Sequence, residues 1–368
     1  MGVAERYALR TMSCACALGA TREQVRQGLQ ARTSAGLKPY ATDIPNRTVL
    51  FGEVPGELPA IADAVYDSRT NRLLLQVLNS ERAAFETLVA KYGADRVAIV
   101  LGTSNTGIDE AQRHVDTWIA TGAKPEAMQF SQIELGTPAE FLARELGVTG
   151  PAYAISTACS SSAKVFPAAR RLIEAGVVDA AIVGGADGRC RFALNGFHAL
   201  GALSQGLCRP LAEDRDGINL GEGAALFTFE RDGSGAVCFV GAGETSDAYH
   251  ATAPDPEGNG AEAAMRAALR DAGLQPADVA YVNMHGTGTP ANDAMEMKAL
   301  SRVFDLADQA AAPVYESTKN LTGHCLGAAG AVEAAICWLK LAAGELKGAA
   351  LSNSFAFGGS NAAVIFTT

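Results

Sequence analysis

Cys159 sits in the run Thr157-Ala-Cys-Ser-Ser-Ser, between a short β-type stretch, Tyr153 to Ser156, and a helical pattern with Val165, Ala168, Ala169, Leu172 and Ile173 on one side. A thiol at a strand-to-helix turn faces unpaired backbone N–H groups and the positive end of a helix dipole. That setting favours the thiolate and can hold a developing oxyanion, so the chemistry it points to is that of a nucleophilic sulfur. His285 ends a second β-type run and opens the loop of NMHGTGTPANDAMEMKAL, which leads through Pro290 into a helix with Asp293 and Glu296 on one side. His324 follows Lys319 in STKNLTGHCLGAAGAVEAA, where Gly323, Gly327 and Gly330 permit close backbone approach. A lysine buried among alanines needs a carboxylate, and Glu296 is the expected partner. Finally, NSFAFGGSNAAVIF reads as a glycine turn between two β-type runs, with Phe357, Gly358 and Gly359 at the bend. Taken singly, each motif has a plain structural reading: a small buried cysteine, a satisfied core histidine, an ordinary hairpin.

The elements that must position these residues alternate between strand and helix. Arg6 to Gln30 reads as a strand, a turn at Gly19 and a helix opened by Thr21, with Glu23 in its first turn. Leu37 to Pro59, broken by prolines and glycines, is expected to be surface loop. Ile61 to Tyr92 reads as helix, with Arg69 and Arg72 on one face: a solvated face or a docking patch. Arg96 to Ser104 and Asp179 to Gly185 are apolar strands of the kind buried on both sides, and Gly196 to Glu230 reads as largely irregular, with an acidic loop ahead of a strand. The second half repeats this order. Val279 to Met284 corresponds to Val97 to Leu101, Ser317-Thr318 to Ser156-Thr157, and Ala349 to Ser352 to Ala180 to Val183. The expectation is an α/β chain of two copies of one unit, residues 1–235 and 236–368.

Composition narrows the class. At 368 residues, 48% hydrophobic and 19% charged, the chain is long and apolar enough for a large core, and no run approaches a membrane span. A net charge of −10 without clustered Lys and Arg argues against a nucleic-acid surface. The eight cysteines, at 14, 16, 159, 190, 208, 238, 325 and 337, show no C-x-x-C pairing, which fits a reducing cytoplasm. Glu213, Asp214 and Asp216 lack histidine company, so no metal site is expected there.

In this order the motifs T-A-C-S-S (157–161), H-G-T-G-T-P (285–290), S-x-K-x-x-x-G-H-x-x-G-A-A-G (317–330) and N-S-F-x-F-G-G-x-N (353–361) resemble the β-ketoacyl-acyl-carrier-protein synthases, the condensing enzymes of fatty acid and polyketide assembly. The resemblance runs from about Arg96 to the C-terminus and, more loosely, over the first part. It implies the thiolase-like fold, two similar α/β halves packed as an α-β-α-β-α sandwich. It implies decarboxylative condensation of an acyl-cysteine enzyme with a malonyl thioester. Cys159 would be the nucleophile, and His285 and His324 the donors to the enolate. Lys319 and Glu296 would form a supporting ion pair, with Asp293 beside it. The backbone N–H groups of Cys159 and Phe357 would form an oxyanion hole, with the Phe357 ring as a gate and Gly358 and Gly359 behind it. Thr287 and Thr289 would hold the pantetheine arm, and Arg69 and Arg72 would dock an acidic carrier protein. No cofactor is implied beyond the phosphopantetheine of acyl carrier protein, and no metal. A dimer is implied. The stretch LNGFHALGALS with GINLGEGAALF is closest to ketosynthases of aryl-polyene or related type II polyketide clusters, some of which pair with a catalytically dead chain-length factor, so a homodimer and a heterodimer both stand. A coenzyme-A-dependent thiolase would be expected to carry a second cysteine near the C-terminal glycine turn, where this chain has Phe357.

Overall fold

The structure, a computed structural model, describes residues 5–42, 44, 47–231, 233–308 and 312–368. The first half runs β1 (Tyr7–Ala8), β2 (Met12–Ala15), α1 (Arg22–Gln30), β3 (Leu37–Ala41), β4 (Thr48–Gly52), α2 (Arg69–Ser80), α3 (Arg82–Tyr92) and β5 (Val97–Gly102), continuing through α4 (Ile108–Thr121), α5 (Thr137–Leu146), β6 (Ala152–Ile155), α6 (Val165–Glu174), β7 (Ala180–Asp187), α7 (Arg191–Ala199) and β8 (Gly223–Glu230). The second half runs β9 (Cys238–Ser246), α8 (Asn259–Ala272), β10 (Val279–Asn283), α9 (Pro290–Val303), β11 (Val314–Glu316), α10 (Lys319–Thr322), α11 (Ala329–Ala342), β12 (Ala349–Ala356) and β13 (Ser360–Thr367).

Strand order exposes the repeat. In one half β6, β5 and β7 are parallel and β8 runs against β7; in the other β11, β10 and β12 are parallel and β13 runs against β12. The two sets join because β1 pairs with both β8 and β9. Alternate residues of one strand serve different layers. In β5, Ala98 and Val100 face a central apolar cluster with α6 and α11, while Val97, Ile99 and Leu101 face α2, α3 and α5. In β13, Ala362, Val364 and Phe366 face the same central helices, and Ala363 and Ile365 face α8 and α9. The result is helix, sheet, helix, sheet, helix, the expected sandwich. The correspondence of β10 with β5 and of β12 with β7 matches the repeat read from the sequence.

Three local expectations are corrected. Leu37 to Pro59 is not plain loop, because β3 and β4 form a hairpin with Leu37 opposite Gly52. Pro39 is tolerated there since this two-stranded ribbon has no third neighbour needing its missing N–H. The helix expected from Ile61 starts only at Arg69, where the Ser68 hydroxyl accepts from Asn71 N–H, and it breaks at Glu81. Within Gly196 to Glu230, α7 extends past Gly196 to Ala199 and β8 occupies the last eight residues. No helix among the described residues is long and apolar enough to cross a membrane.

Candidate active site

Cys159 lies on a tight elbow between β6 and α6. Ala158 adopts a left-handed conformation, φ +52°, which an alanine takes at a cost. The Ser161 hydroxyl braces it, accepting from Thr157 N–H at 2.9 Å and donating to the Ala158 carbonyl at 2.5 Å. Glycines elsewhere make room: a Cβ on Gly102 of β5 would come within 2.3 Å of the Ser162 backbone. The α-helix itself begins only at Val165, after a 3₁₀ turn over Ser161–Ala163, so the helix terminus is not at the sulfur. Burial dominates instead and pushes the Cys159 thiol up to about 12, against the opposing pull of Lys319 and of a backbone hydrogen bond from Phe357. The expected resting thiolate is therefore corrected to a neutral thiol.

The sulfur has a proton partner. His324 Nε2 is 2.9 Å from Cys159 Sγ, and the sulfur and one nitrogen from each of His324 and His285 lie within 4.8 Å of one another. The two imidazoles meet edge to face, centroids 5.4 Å apart. Burial first, then the nearby Lys319 charge, holds both well below the usual histidine range, so both are neutral. Nδ1 of neither ring has a hydrogen-bond partner among the described residues, so no side chain locks their tautomers. Three such donors also match a zinc set. The buried ammonium of Lys319 opposes a second cation, as it already opposes protonation of the histidines.

The histidines are held by their backbones. His324 N–H donates to the Asn219 carbonyl at 2.8 Å and its carbonyl accepts from Gly221 N–H at 3.0 Å, so the stretch after the acidic loop serves as its rail. That approach needs glycine, since a Cβ on Gly221 would sit 2.4 Å from the Thr322 carbonyl oxygen. At His285 the two carboxylate oxygens of Glu296 accept from His285 and Gly286 N–H at 2.8 and 2.7 Å, and Asn353 donates to Glu296 at 3.1 Å. Burial nonetheless raises Glu296 to about 7. Asp293 does the same one turn earlier, accepting from Gly288 N–H at 3.1 Å and Leu211 N–H at 2.8 Å.

Lys319 does not pair with Glu296. It donates to the His285 carbonyl at 2.6 Å and to Glu333, a buried carboxylate on α11. The signal for Glu333 was in the sequence: it is the one carboxylate in the apolar stretch of α11, and a charge there demands a partner.

Cys159, both histidines, Thr287, Thr289 and Phe357 line one cavity of about 220 Å³, closed on other sides by Phe197, Ile218, Phe355 and the stretch Thr252–Pro254. The Thr287 and Thr289 hydroxyls are 2.9 Å apart. The Phe357 ring stacks on Phe197, centroids 5.4 Å apart, at 36% exposure, and Gly358 and Gly359 behind it have φ of +79° and +75°. Gly358 and Gly359 are tied to the neighbouring loop by Gly358 N–H to the Ala251 carbonyl, 2.7 Å, and Asp247 N–H to the Gly359 carbonyl, 2.9 Å. Asp247 carried no motif, and Phe197, though inside the stretch LNGFHALGALS, had no signal that placed its ring against Phe357.

Arg69 and Arg72 are elsewhere engaged. Arg69 donates twice to the fully buried Glu222, at 2.5 and 2.6 Å, and Arg72 twice to Asp67, at 2.6 and 2.7 Å. Arg69 is thus held in an ion pair with a buried carboxylate, while Arg72 lies beside Asp67 at the surface. Asp214 pairs with Arg209, while Asp216 accepts from Ser204 and Gln205, as suits a structural loop.

Residues 68–233 match the model of the beta-ketoacyl synthase N-terminal domain, and residues 236–350 that of the C-terminal domain. A 3-oxoacyl-[acyl-carrier-protein] synthase 2 of Staphylococcus aureus is 34% identical over 323 residues, covering 74% of this chain and 77% of the relative. Among solved structures, the ketosynthase ApeO in complex with its chain length factor ApeC, from Xenorhabdus doucetiae, superposes with a TM-score of 0.92 at 39% identity, covering 99% of this chain and 98% of that one. The ishigamide ketosynthase/chain length factor gives 0.87 at 28% identity, covering 99% of each chain.

Proposed function

The chain belongs to the beta-ketoacyl synthase family, and we propose that it extends an acyl chain by two carbons through decarboxylative condensation of an acyl-Cys159 enzyme with malonyl acyl carrier protein. The observation that carries the assignment of roles is the 2.9 Å contact of Cys159 Sγ with His324 Nε2 in a cavity that His285 shares.

In the first half-reaction the Cys159 sulfur attacks the carbonyl of a carrier-bound thioester. Its proton passes by way of His324 to the departing carrier thiol as the old C–S bond breaks and the new one forms. The negative oxygen of the tetrahedral intermediate is held by the N–H groups of Cys159 and Phe357. In the second, the malonyl thioester loses carbon dioxide and the enolate oxygen accepts from Nε2–H of His285 and of His324, whose unpartnered Nδ1 lets the ring switch to that tautomer once the sulfur is acylated. Neutral imidazoles suit this step, because a donor that stays uncharged stabilises the enolate without protonating it. The enolate carbon then attacks the acyl-cysteine carbonyl, the C–C bond forms, and Cys159 leaves as a thiolate that takes its proton from water by way of His324 Nε2. Lys319 and Glu333 hold the His285 carbonyl and set the local field, Glu296 and Asp293 hold the loop, Thr287 and Thr289 face the pantetheine arm, and Phe357 with Gly358 and Gly359 forms the gate.

The reading extends to partners. A second subunit, identical or a chain-length factor, is supported by the two solved complexes, by the open edge strand β6 and by the exposed Ile119, Phe130 and Phe192. The likeness to ApeO favours the heterodimer and an aryl-polyene or related pathway. Eight free cysteines support a reducing, cytoplasmic setting.

The test is intact-protein mass after incubation with acyl-loaded carrier, wild type beside Cys159→Ala, followed by malonyl carrier protein. An adduct on wild type alone, discharged as a product two carbons longer, is expected. No adduct from the isolated chain but one after adding a chain-length-factor subunit selects the heterodimer; none in either case overturns the role of Cys159.

A further inference from the structure

The two N–H groups assigned to the acyl oxyanion come from opposite halves of the chain, Cys159 on its elbow and Phe357 at the glycine turn. Both must lie within about 3 Å of one oxygen atom, so the gap between two independent loops has to be fixed to a fraction of an ångström. Side chains span that gap, among them Lys164 and Ser360, which no motif singled out. Lys164 Nζ donates to Ser360 Oγ at 2.7 Å, Ser360 Oγ is 3.0 Å from Ser160 Oγ, and Ser160 Oγ is 2.8 Å from the Thr157 carbonyl and 3.0 Å from the Thr157 hydroxyl. An ammonium only donates and a carbonyl only accepts. Ser360 Oγ therefore accepts from both the Lys164 ammonium and the Ser160 hydroxyl, which has the Thr157 carbonyl as its other acceptor.

Lys164 is an odd residue to keep there. Its side chain is only 14% exposed, its nearest carboxylate oxygen, on Glu244, is 3.9 Å away, and Glu244 already has Arg171 at 3.1 Å. Burial lowers the Lys164 pKa, as a weakly paired buried ammonium requires. The short contact is to a neutral hydroxyl on the turn that carries Phe357.

We propose that Lys164 and Ser360, acting through Ser160, are positioning residues that hold the Phe357–Ser360 turn against the Cys159 elbow and so set the width of the oxyanion hole. The proposal rests on the condensing-enzyme reading. It predicts a split between two reactions of the same sulfur. Thioester attack passes through an oxyanion and needs the hole; alkylation by iodoacetamide does not.

Ser360→Ala and Lys164→Met, with Ser360→Thr as the conservative variant, are each measured in the enzyme with whatever partner subunit wild type requires. Acylation by acyl carrier protein is expected to slow by about 10- to 100-fold, less than the loss of a whole oxyanion donor. Alkylation stays within about twofold and KM for the acyl carrier is unchanged, while Thr, which keeps the hydroxyl, restores most of the rate. Lys164→Met leaves Glu244 paired with Arg171, so a folding defect is not expected, and a circular dichroism melt checks it. Acylation unchanged in both variants, or acylation and alkylation falling in parallel, overturns the proposal. Wild type that takes no acyl group overturns the condensing reading itself and the positioning role with it.

Discussion

Cys159 and His324 occupy the same place in the two halves. Each follows a strand at the outer end of its sheet, β6 or β11, stands two residues before a 3₁₀ turn, Ser161–Ala163 or Leu326–Ala328, and leads into a helix of the central layer, α6 or α11. Each elbow also holds one strained residue, though on opposite sides of the reacting group: Ala158, at φ +52°, precedes Cys159, and Leu326, at φ +51°, follows His324. The contents differ. The first copy delivers a lone thiol, and its helix carries arginines that reach solvent-facing partners. The second carries, besides the imidazole, the buried Lys319–Glu333 pair, and its helix is buried for most of its length. One scaffold has thus been divided into a nucleophile side and an electrostatic side that meet across the pseudo-repeat. The elbow supplies geometry in both, and burial rather than a helix terminus decides the protonation states.

The comparison can be broken at either side. Cys159→Ala removes the nucleophile and is expected to reduce acyl transfer by at least about 10³-fold with the fold intact, read by adduct mass. His285→Ala removes one enolate donor while leaving sulfur chemistry in place. Decarboxylation of malonyl carrier protein should fall by about 10²–10³-fold, and iodoacetamide labelling of Cys159 should survive. A parallel loss of labelling would show that the two sides are not separable.

Glu333→Gln strands the Lys319 ammonium in a dry interior and is expected to cost about 3–5 kcal/mol in urea melts. Lys319→Met with Glu333→Met together should cost far less than the two single changes summed. Additive losses would mean that the pair does not act as a unit. The protonation contrast is sharpened by pH. With Cys159 raised to about 12 and both histidines neutral, the thiolate fraction grows about tenfold per pH unit through the neutral and mildly alkaline range, so the alkylation rate should still be climbing at pH 9. A plateau near pH 7 would restore the thiolate that the elbow was expected to favour. The smallest effect on catalysis is expected at the remote ion pair. Arg69→Ala should lower stability by stranding the buried Glu222 and leave KM for the carrier unchanged, whereas a raised KM would return Arg69 to a docking role.

Motif chemistry was legible because it is local. A cysteine between a strand and a helix, a histidine at a strand end before Gly-Thr-Gly-Thr, and a glycine turn before the last strand are each contained in about a dozen residues, and the order of strands and helices repeats in the chain itself. That β5 is buried on both sides was legible in its unbroken apolar run; which layer each of its residues faces was not. By itself the sequence determined the reacting groups, the α/β repeat and the family resemblance. Tertiary structure alone decided which carboxylate holds Lys319, that Glu296 instead clamps the His285 loop, that Arg69 and Arg72 are already paired, and that the thiol rests neutral. The reason is physical. Partner choice and protonation depend on distance and on the loss of water around a charge, and both are set when segments far apart in the chain close over the same cavity.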